Sequence, residues 1–216
     1  MPDPPDGSTR LPLLARWADA VLGPIERALL RALPIADPWE TFPARVPPRV
    51  LGAGGLRPFS WYLDGPSVVE VASVDEICDW LAGCESVTDR ELFGEEDHWQ
   101  HPSELEQLRK GDCEDHALWA WRKLLGLGFD ARFVGGSWLP DGSEGDWIGL
   151  AWFEYLVAGA RFLLESQVDR AVMVQPHSLA RSHYVPWVSV DRGLKPVMHA
   201  GYLLYRRRVR ERERSR

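Results

Sequence analysis

Cysteine is scarce in this chain of 216 residues, which has only three, at positions 78, 84 and 113. The number is odd, and no two of them stand in a Cys-x-x-Cys pair. Disulfide-stabilised domains need several paired cysteines, and structural zinc sites need closely spaced ligands. The histidines are scattered, and the acidic residues have no ligand spacing. We therefore expect no disulfide framework, no bound metal or other cofactor, and a reducing, cytoplasmic location.

Long apolar runs are also missing, because no stretch reaches the roughly 18 apolar residues of a membrane-spanning helix. The N-terminal run LPLLARWADAVLGPIERALLRALP is interrupted by charges, unlike the centre of a signal peptide. Its Leu, Val and Ile residues recur at helical spacing, which predicts an amphipathic helical segment within residues 1–33. Such a helix can contact a membrane surface peripherally, but we expect it to pack on its own domain or on a partner.

Positive charge is scarce outside the C-terminus. The formal net charge is -7, although the last segment, RRRVRERERSR, carries seven Arg and two Glu, so the remaining residues carry about -12. An acidic body excludes nucleic acid as the main partner, because phosphate contacts require a basic face. We expect the Arg-rich tail, residues 205–216, to be a solvated helix end rather than a site for RNA, anionic lipid or an acidic neighbour.

The order of patterns predicts an α+β fold. Residues 34–65 are rich in Pro and Gly and are predicted to form a linker before a domain at 66–204. A strand is predicted in SVVEVAS, followed by a helix capped by Ser73 and a short helix with a capping box formed by Ser103 and Glu106. A longer helix follows from Cys113. Strands are then predicted in DARFVGGSW, WIGLAWFEYLV, ARFLLES, AVMV, YVPWVSV and VMHAGYLLY.

The segment GDCED, residues 111–115, places Cys113 in the first turn of the longer helix. Unpaired backbone N–H groups and the helix dipole favour a thiolate at that position. The surrounding stretch, DHWQHPSELEQLRKGDCEDHALWAWRKLLGLGFDARFVGG, resembles the core of the bacterial transglutaminase-like cysteine proteinases. This resemblance covers most of residues 66–200. It implies a papain-like core of the transglutaminase type, with the nucleophile-bearing helix packed against an antiparallel sheet.

The resemblance also implies a Cys/His/Asp constellation, in which a strand histidine moves the proton and a carboxylate orients the imidazole. Residue for residue, Cys113 matches the nucleophile and Glu165 in LLES replaces the acid, but Leu150 in LAWFEY occupies the position of the histidine. Leucine neither accepts a proton nor forms a hydrogen bond, so a triad built here lacks its general base.

Other histidines are candidates for a replacement base. His116 lies three residues after Cys113 on the same helix, and His183 lies near a later strand. His199, His98 and His101 are further candidates, and each is as readily explained as an ordinary structural residue. The resemblance places Trp99 and Gln100 near the cleft, where they would help to hold an oxyanion or would only wedge the loop. Leu150 and Trp152 are candidate binding residues of the same cleft.

Three functions therefore remain open. The first is a catalytically degenerate domain that binds a peptide, a protein or a small ligand. The second is an active thiol hydrolase (peptidase, isopeptidase, glutamine deamidase or acyl transferase) with a displaced histidine. The third is a structural subunit anchored by its N-terminal helix and basic tail. A histidine nitrogen within about 4 Å of the Cys113 sulfur would favour the enzyme, and apolar contact with Leu150 would favour the binding module.

Overall fold

The computed structural model of the chain describes residues 37–42, 46, 50–51, 54–55, 57–140 and 147–214. The helix predicted within residues 1–33 lies outside the described residues. The chain divides into two compact units, and the first comprises residues 37–202. The second comprises residues 1–36 and 203–216, of which only part of the C-terminal helix is described. Within the described ranges, no helix is long and apolar enough to cross a bilayer.

The strands are β1 Thr41–Phe42, β2 Glu85–Ser86, β3 Lys110–Gly111, β4 Asp130–Trp138, β5 Ile148–Val157, β6 Ala160–Leu164, β7 Val174–Pro176, β8 Tyr184–Val190 and β9 Pro196–His199. The helices are α1 Phe59–Leu63, α2 Val74–Ala82, α3 Asp89–Leu92, α4 Pro102–Leu108, α5 Cys113–Gly126, α6 His177–Ala180 and α7 Ala200–Arg214, with a 3₁₀ turn at Arg170–Val172.

Seven strands form one sheet in the order β1-β9-β8-β4-β5-β6-β7, and every neighbouring pair is antiparallel. Strands β2 and β3 form a separate two-stranded sheet. Of the seven helices found in the described ranges, five precede the central strands β4, β5, β6 and β8. The predicted α+β class is therefore confirmed.

Helix α5 is the centre of the core. Asp112 and Asp115 form a capping box at its start, which fixes Cys113 in the first turn, as predicted. Its apolar residues Ala117, Ala120, Trp121 and Leu124 are buried, and Trp121 and Leu124 pack in one cluster with Phe133 and Phe153 of the sheet. The helix thus lies against the face of β4 and β5, which is the arrangement expected from the family resemblance.

The segment predicted to be a linker contributes ordered elements to the fold. Thr41 and Phe42 pair with β9, and α1 places Tyr62 in the main core. The segment packs on the fold because it contains apolar aromatic residues, whose surface a solvated linker would leave exposed to water. The predicted boundaries at 66 and 204 stay predictions.

Three strand predictions were wrong in part or in whole. No strand is assigned in residues 67–73, although Ser73 does cap α2. The predicted strand in VMHAGYLLY ends at His199, because α7 begins at Ala200. In AVMV, a 3₁₀ turn precedes β7.

The capping box predicted for α4 does not form, because His101 is the N-cap and its imidazole accepts from Ser103 N–H. Glu106 instead points into the interior, where it forms an ion pair of 2.8 Å with Lys123 of α5. It also accepts hydrogen bonds from Ser67, the backbone N–H of Val68 and Trp119. Glu106 thereby holds the chain before α2 against α5.

Candidate functional site at Cys113

Cys113 lies where the start of α5 meets β5. Its thiol is free, and the backbone N–H of Ala151 donates to Sγ at 3.3 Å. The thiol itself donates to Oε2 of Glu114 at 3.1 Å. The first contact depends on the packing of α5 on β5, and the second joins neighbouring residues of the helix.

The surroundings of the sulfur oppose ionisation. Burial raises the pKa of Cys113 well above its ordinary value, and the nearby carboxyls of Glu114 and Asp112 raise it further. The hydrogen bond from Ala151 lowers the pKa but does not compensate. These surroundings favour the neutral thiol over the thiolate, although Cys113 lies in the first turn of α5.

Two cavities meet at Cys113, and both are also lined by Gly149 and Leu150. The smaller has a volume of about 220 Å³ and is mostly apolar. Its other lining residues are Leu51, Trp99, Glu114, Phe133, Gly135, Gly136, Ala151 and Trp187. The larger has a volume of about 350 Å³. Its other lining residues are Ser86, Val87, Thr88, Glu91, Asp112, Trp138, Ile148, Glu165, Gln167 and Val168.

Leu150 therefore lies at the cleft, in the position that the family resemblance assigns to the base. It lines both cavities together with Cys113 and also packs against the cluster that contains Trp152. Its side chain offers no proton acceptor. Trp152 is fully buried in that cluster and lines neither cavity, so the sheet brings only Leu150 of these two candidates to the cleft.

All six histidines lie in the described part of the chain, and none forms a hydrogen bond with Cys113. His116 is 1% exposed, and its Nδ1 contacts Gln167 Nε2 at 3.2 Å. Burial lowers the pKa of His116 to about 4. His183 contacts the carbonyl of Leu139 at 3.1 Å. Neither of the two main replacement candidates lines a cavity at the sulfur.

The other histidines are likewise engaged elsewhere. His199 is buried between Ser189 and the carbonyl of Trp39, His98 lies by Glu95, and His101 caps α4. His177, which sequence reasoning did not single out, packs its ring against Trp39 on the other side of the sheet.

Glu165 does share the larger cavity with Cys113. Its Oε1 accepts a hydrogen bond from the backbone N–H of Gln167, and burial raises the pKa of its carboxyl. Gln167 also contacts His116 and Ser86. Gln167 thus links Glu165 to His116, and Glu165 forms no hydrogen bond with a described imidazole.

Trp99 lines the smaller cavity, and its indole N–H donates to Asp97 at 2.9 Å. Gln100 is buried and lines neither cavity, because its side-chain amide donates to Asp115 and to the carbonyl of Lys110. Gln100 therefore braces the start of α5, and its NH₂ group is not directed at a ligand in the cleft.

Sequence reasoning missed that Asp89 and Asp97 join the acidic residues of GDCED beside the thiol. Oxygens of Asp89, Asp112 and Asp115 lie within 4.8 Å of one another, and Asp89, Asp97 and Glu114 form a second such group. Burial and the charges of Asp89 and Asp97 raise the pKa of Asp112 to about 6, although hydrogen bonds with Glu114 lower it. The acidic residues of GDCED were visible, but the loop that brings Asp89 and Asp97 to them was not.

Comparison with protein-family models and with curated protein sequences finds no match. Among solved structures, the chain is similar to Legionella pneumophila LapG, with a TM-score of 0.45 and 17% identity over 67% of this chain and 71% of that one. Calcium-bound LapG has a TM-score of 0.46 and 18% identity, over 58% of this chain and 66% of that one.

A protein from Cytophaga hutchinsonii, described as a candidate cysteine protease, has a TM-score of 0.35 and 17% identity, over 53% of this chain and 34% of that one. At these identities the likeness concerns the fold alone.

Proposed function

We propose that this chain is a catalytically degenerate transglutaminase-like domain, and that the cleft at Cys113 binds a peptide or protein segment without turning it over. One observation carries the proposal: Leu150, which has no proton acceptor, lines the cleft beside Cys113, and no described imidazole forms a hydrogen bond with the sulfur. Acyl transfer by a thiol requires a group that takes up its proton. The cleft retains the space for a ligand and lacks that group.

The alternative is an active thiol hydrolase that uses a displaced histidine. His116 is the nearest candidate along α5, but its Nδ1 is engaged by Gln167 and its side chain is buried. An enzyme would therefore need α5 and Gln167 to rearrange when a substrate binds.

Trapping of an acyl intermediate with hydroxylamine tests the proposal. The protein is incubated with casein and hydroxylamine, and hydroxamate formation is compared with that of Cys113→Ala. We expect equal background from both proteins and casein recovered intact. Hydroxamate or cleavage that depends on Cys113 would overturn the proposal and establish the thiol hydrolase. His116→Gln, assayed in parallel, would then show whether His116 is the base.

A second candidate function is the binding of a divalent cation by the carboxylates beside the thiol. Asp89 is 3% exposed, and its Oδ1 and Oδ1 of Asp112 are both buried without a hydrogen-bond partner. With Asp115 they form an oxygen-rich group that fits a hard cation such as Ca²⁺, which is present in one of the LapG structures. When bound, the ion would offset the mutual repulsion of these carboxylates.

Thermal unfolding in CaCl₂ and in EGTA tests the second candidate. A cation that binds only the folded state stabilises by about 2.7 kcal/mol at a hundredfold excess over its Kd. We expect calcium to raise the Tm of the protein and of the exposed control Asp64→Asn, but not of Asp89→Asn. Equal melting curves of the unaltered protein in CaCl₂ and in EGTA would refute this function.

A further inference from the structure

Half of strand β5 has an open edge. On one side, β5 pairs with β4 over nearly its whole length, from Ile148 to Leu156. On the other side, pairing with β6 begins only at Phe153, which is opposite Leu164. Among the described residues, no strand pairs with residues 148–152 on that side. Open strand edges carry backbone groups that can pair with another extended chain.

The hydrogen-bond pattern shows which groups face the open side. In an antiparallel strand, the N–H and C=O groups of one residue point to the same neighbour, and the direction alternates along the chain. The N–H of Ala151 points away from β4, because it reaches the sulfur of Cys113. The register between β4 and β5 is regular, so the N–H and C=O of Gly149 point to the open side as well.

Gly149 also has free space around it. A methyl group built on its α-carbon would meet no atom within 4 Å, and Gly149 lines both cavities. The two cavities therefore lie along the open edge. Successive side chains of an extended segment point to opposite sides, so a segment paired at Gly149 can place neighbouring side chains in different cavities.

The larger cavity is acidic. Its lining includes Glu91, Asp112 and Glu165 but no Lys, Arg or His. Glu165 is 3% exposed, and none of the ion pairs of the described residues involves it. A buried carboxyl without a cation is stabilised by a ligand that brings one.

From these observations we infer that an extended peptide segment adds to the open edge of β5 at Gly149 and places a Lys or Arg side chain in the larger cavity, against Glu165. The inference rests on the proposed peptide-binding function and names the class of peptide. Backbone pairing supplies affinity in such strand addition, and the side-chain cavities supply the choice of sequence.

The experiment measures the binding of fluorescent hexapeptide pools to the whole chain by anisotropy. One position of each pool is fixed as Lys, Arg, norleucine or Glu. We expect the Lys and Arg pools to bind at least fivefold more tightly than the norleucine pool. Norleucine keeps the aliphatic length of Lys without its charge. Glu165→Gln should remove that preference while leaving the norleucine pool unchanged.

A matched pair of variants tests the backbone pairing. Gly149→Ala keeps the N–H group and fills open space, whereas Gly149→Pro removes the N–H group at an edge where proline is tolerated. We expect Gly149→Ala to bind the best pool within twofold of the unaltered protein, and Gly149→Pro to bind it at least fivefold more weakly. Circular dichroism establishes that both variants are folded.

The outcomes separate this inference from the function on which it rests. If no pool binds the unaltered protein, the peptide-binding function fails together with the inference. If pools bind but the Ala and Pro variants bind them equally, or Lys, Arg and norleucine pools bind equally, only the inference is overturned. The proposed function then stands with another mode of binding.

Discussion

Replacing Lys123 by Met should lower the free energy of unfolding substantially, because it removes one partner of a buried ion pair. Lys123 is 8% exposed and pairs at 2.8 Å with Glu106, whose side chain is 1% exposed. Burial alone would raise the pKa of Glu106, but hydrogen bonds from Lys123, Ser67, Val68 and Trp119 outweigh it and lower the pKa to about 2. The ordinary value is 4.5.

The size of the effect follows from that difference. A pKa lowered from 4.5 to about 2 corresponds to about 3 kcal/mol of stability. Because the folded-state pKa is the lower one, this contribution is present above pH 4.5 and is lost as the pH falls through about 2. Removing one partner of a buried pair typically costs about 3 to 5 kcal/mol. For a unit of this size, 3 kcal/mol corresponds to a loss of about 6 to 12 °C in Tm.

Urea unfolding at pH 7, followed by tryptophan fluorescence, measures the change. We expect Lys123→Met to lose about 3 kcal/mol. Lys110→Met should lose less than about 1 kcal/mol, because Lys110 and its partner Glu85 are 46% and 61% exposed. The double variant Glu106→Gln with Lys123→Met should recover part of the loss, because it leaves no buried charge. A Lys123→Met protein as stable as Lys110→Met would refute the reasoning.

Three further predictions concern the core and the cleft. Burial lowers the pKa of His116 from 6.5 to about 4, so the protein is more stable above pH 6.5, where this side chain is neutral, and loses that stability as the pH falls towards 4. Between pH 6.5 and 4.5, the unfolding free energy of His116→Gln, measured in urea, should fall by about 2 kcal/mol less than that of the unaltered protein. An equal fall in both proteins would contradict this. Alkylation of Cys113 by iodoacetamide at pH 7 should be at least threefold faster in Leu150→His than in Leu150→Asn, because only the imidazole can take up the thiol proton. Mass spectrometry of the modified peptide measures the rate. Equal rates in the two variants would show that residue 150 does not reach the sulfur. Gly136→Ala should lower the free energy of unfolding in urea by about 2 to 3 kcal/mol, because the added methyl group would lie 2.3 Å from the carbonyl oxygen of Val185. Gly149→Ala should change it by less than about 0.5 kcal/mol, because the position is open. Similar losses in the two variants would contradict the close packing at Gly136.

The cleft combines a buried thiol with carboxyls that form no ion pair among the described residues and with an open strand edge. Each of these features disfavours acyl transfer or favours the binding of a ligand that brings positive charge. Glu165 illustrates the combination, because it lines the larger cavity with Cys113 and forms no ion pair among the described residues.

Several features could be predicted from the sequence because they depend on neighbours along the chain. The capping residues and apolar stripe of α5 specify a helix that begins at Cys113, and the order of helical and strand patterns specifies an α+β fold. The identity of residue 150 decides by itself that no proton acceptor stands there. Ser73 caps α2 for the same local reason.

Tertiary structure alone decided the features that join distant segments. Glu106 has the spacing of a capping residue, yet packing of α4 on α5 gives it a buried lysine partner, because an ion pair stabilises a buried carboxylate more than a helix cap would. His116 is one turn from Cys113 along the helix, but tertiary packing buries its side chain, lowers its pKa and places its Nδ1 against Gln167. The open edge at Gly149 exists because β6 is shorter than β5, and pairing length is set by how strands meet in the sheet rather than by either sequence alone.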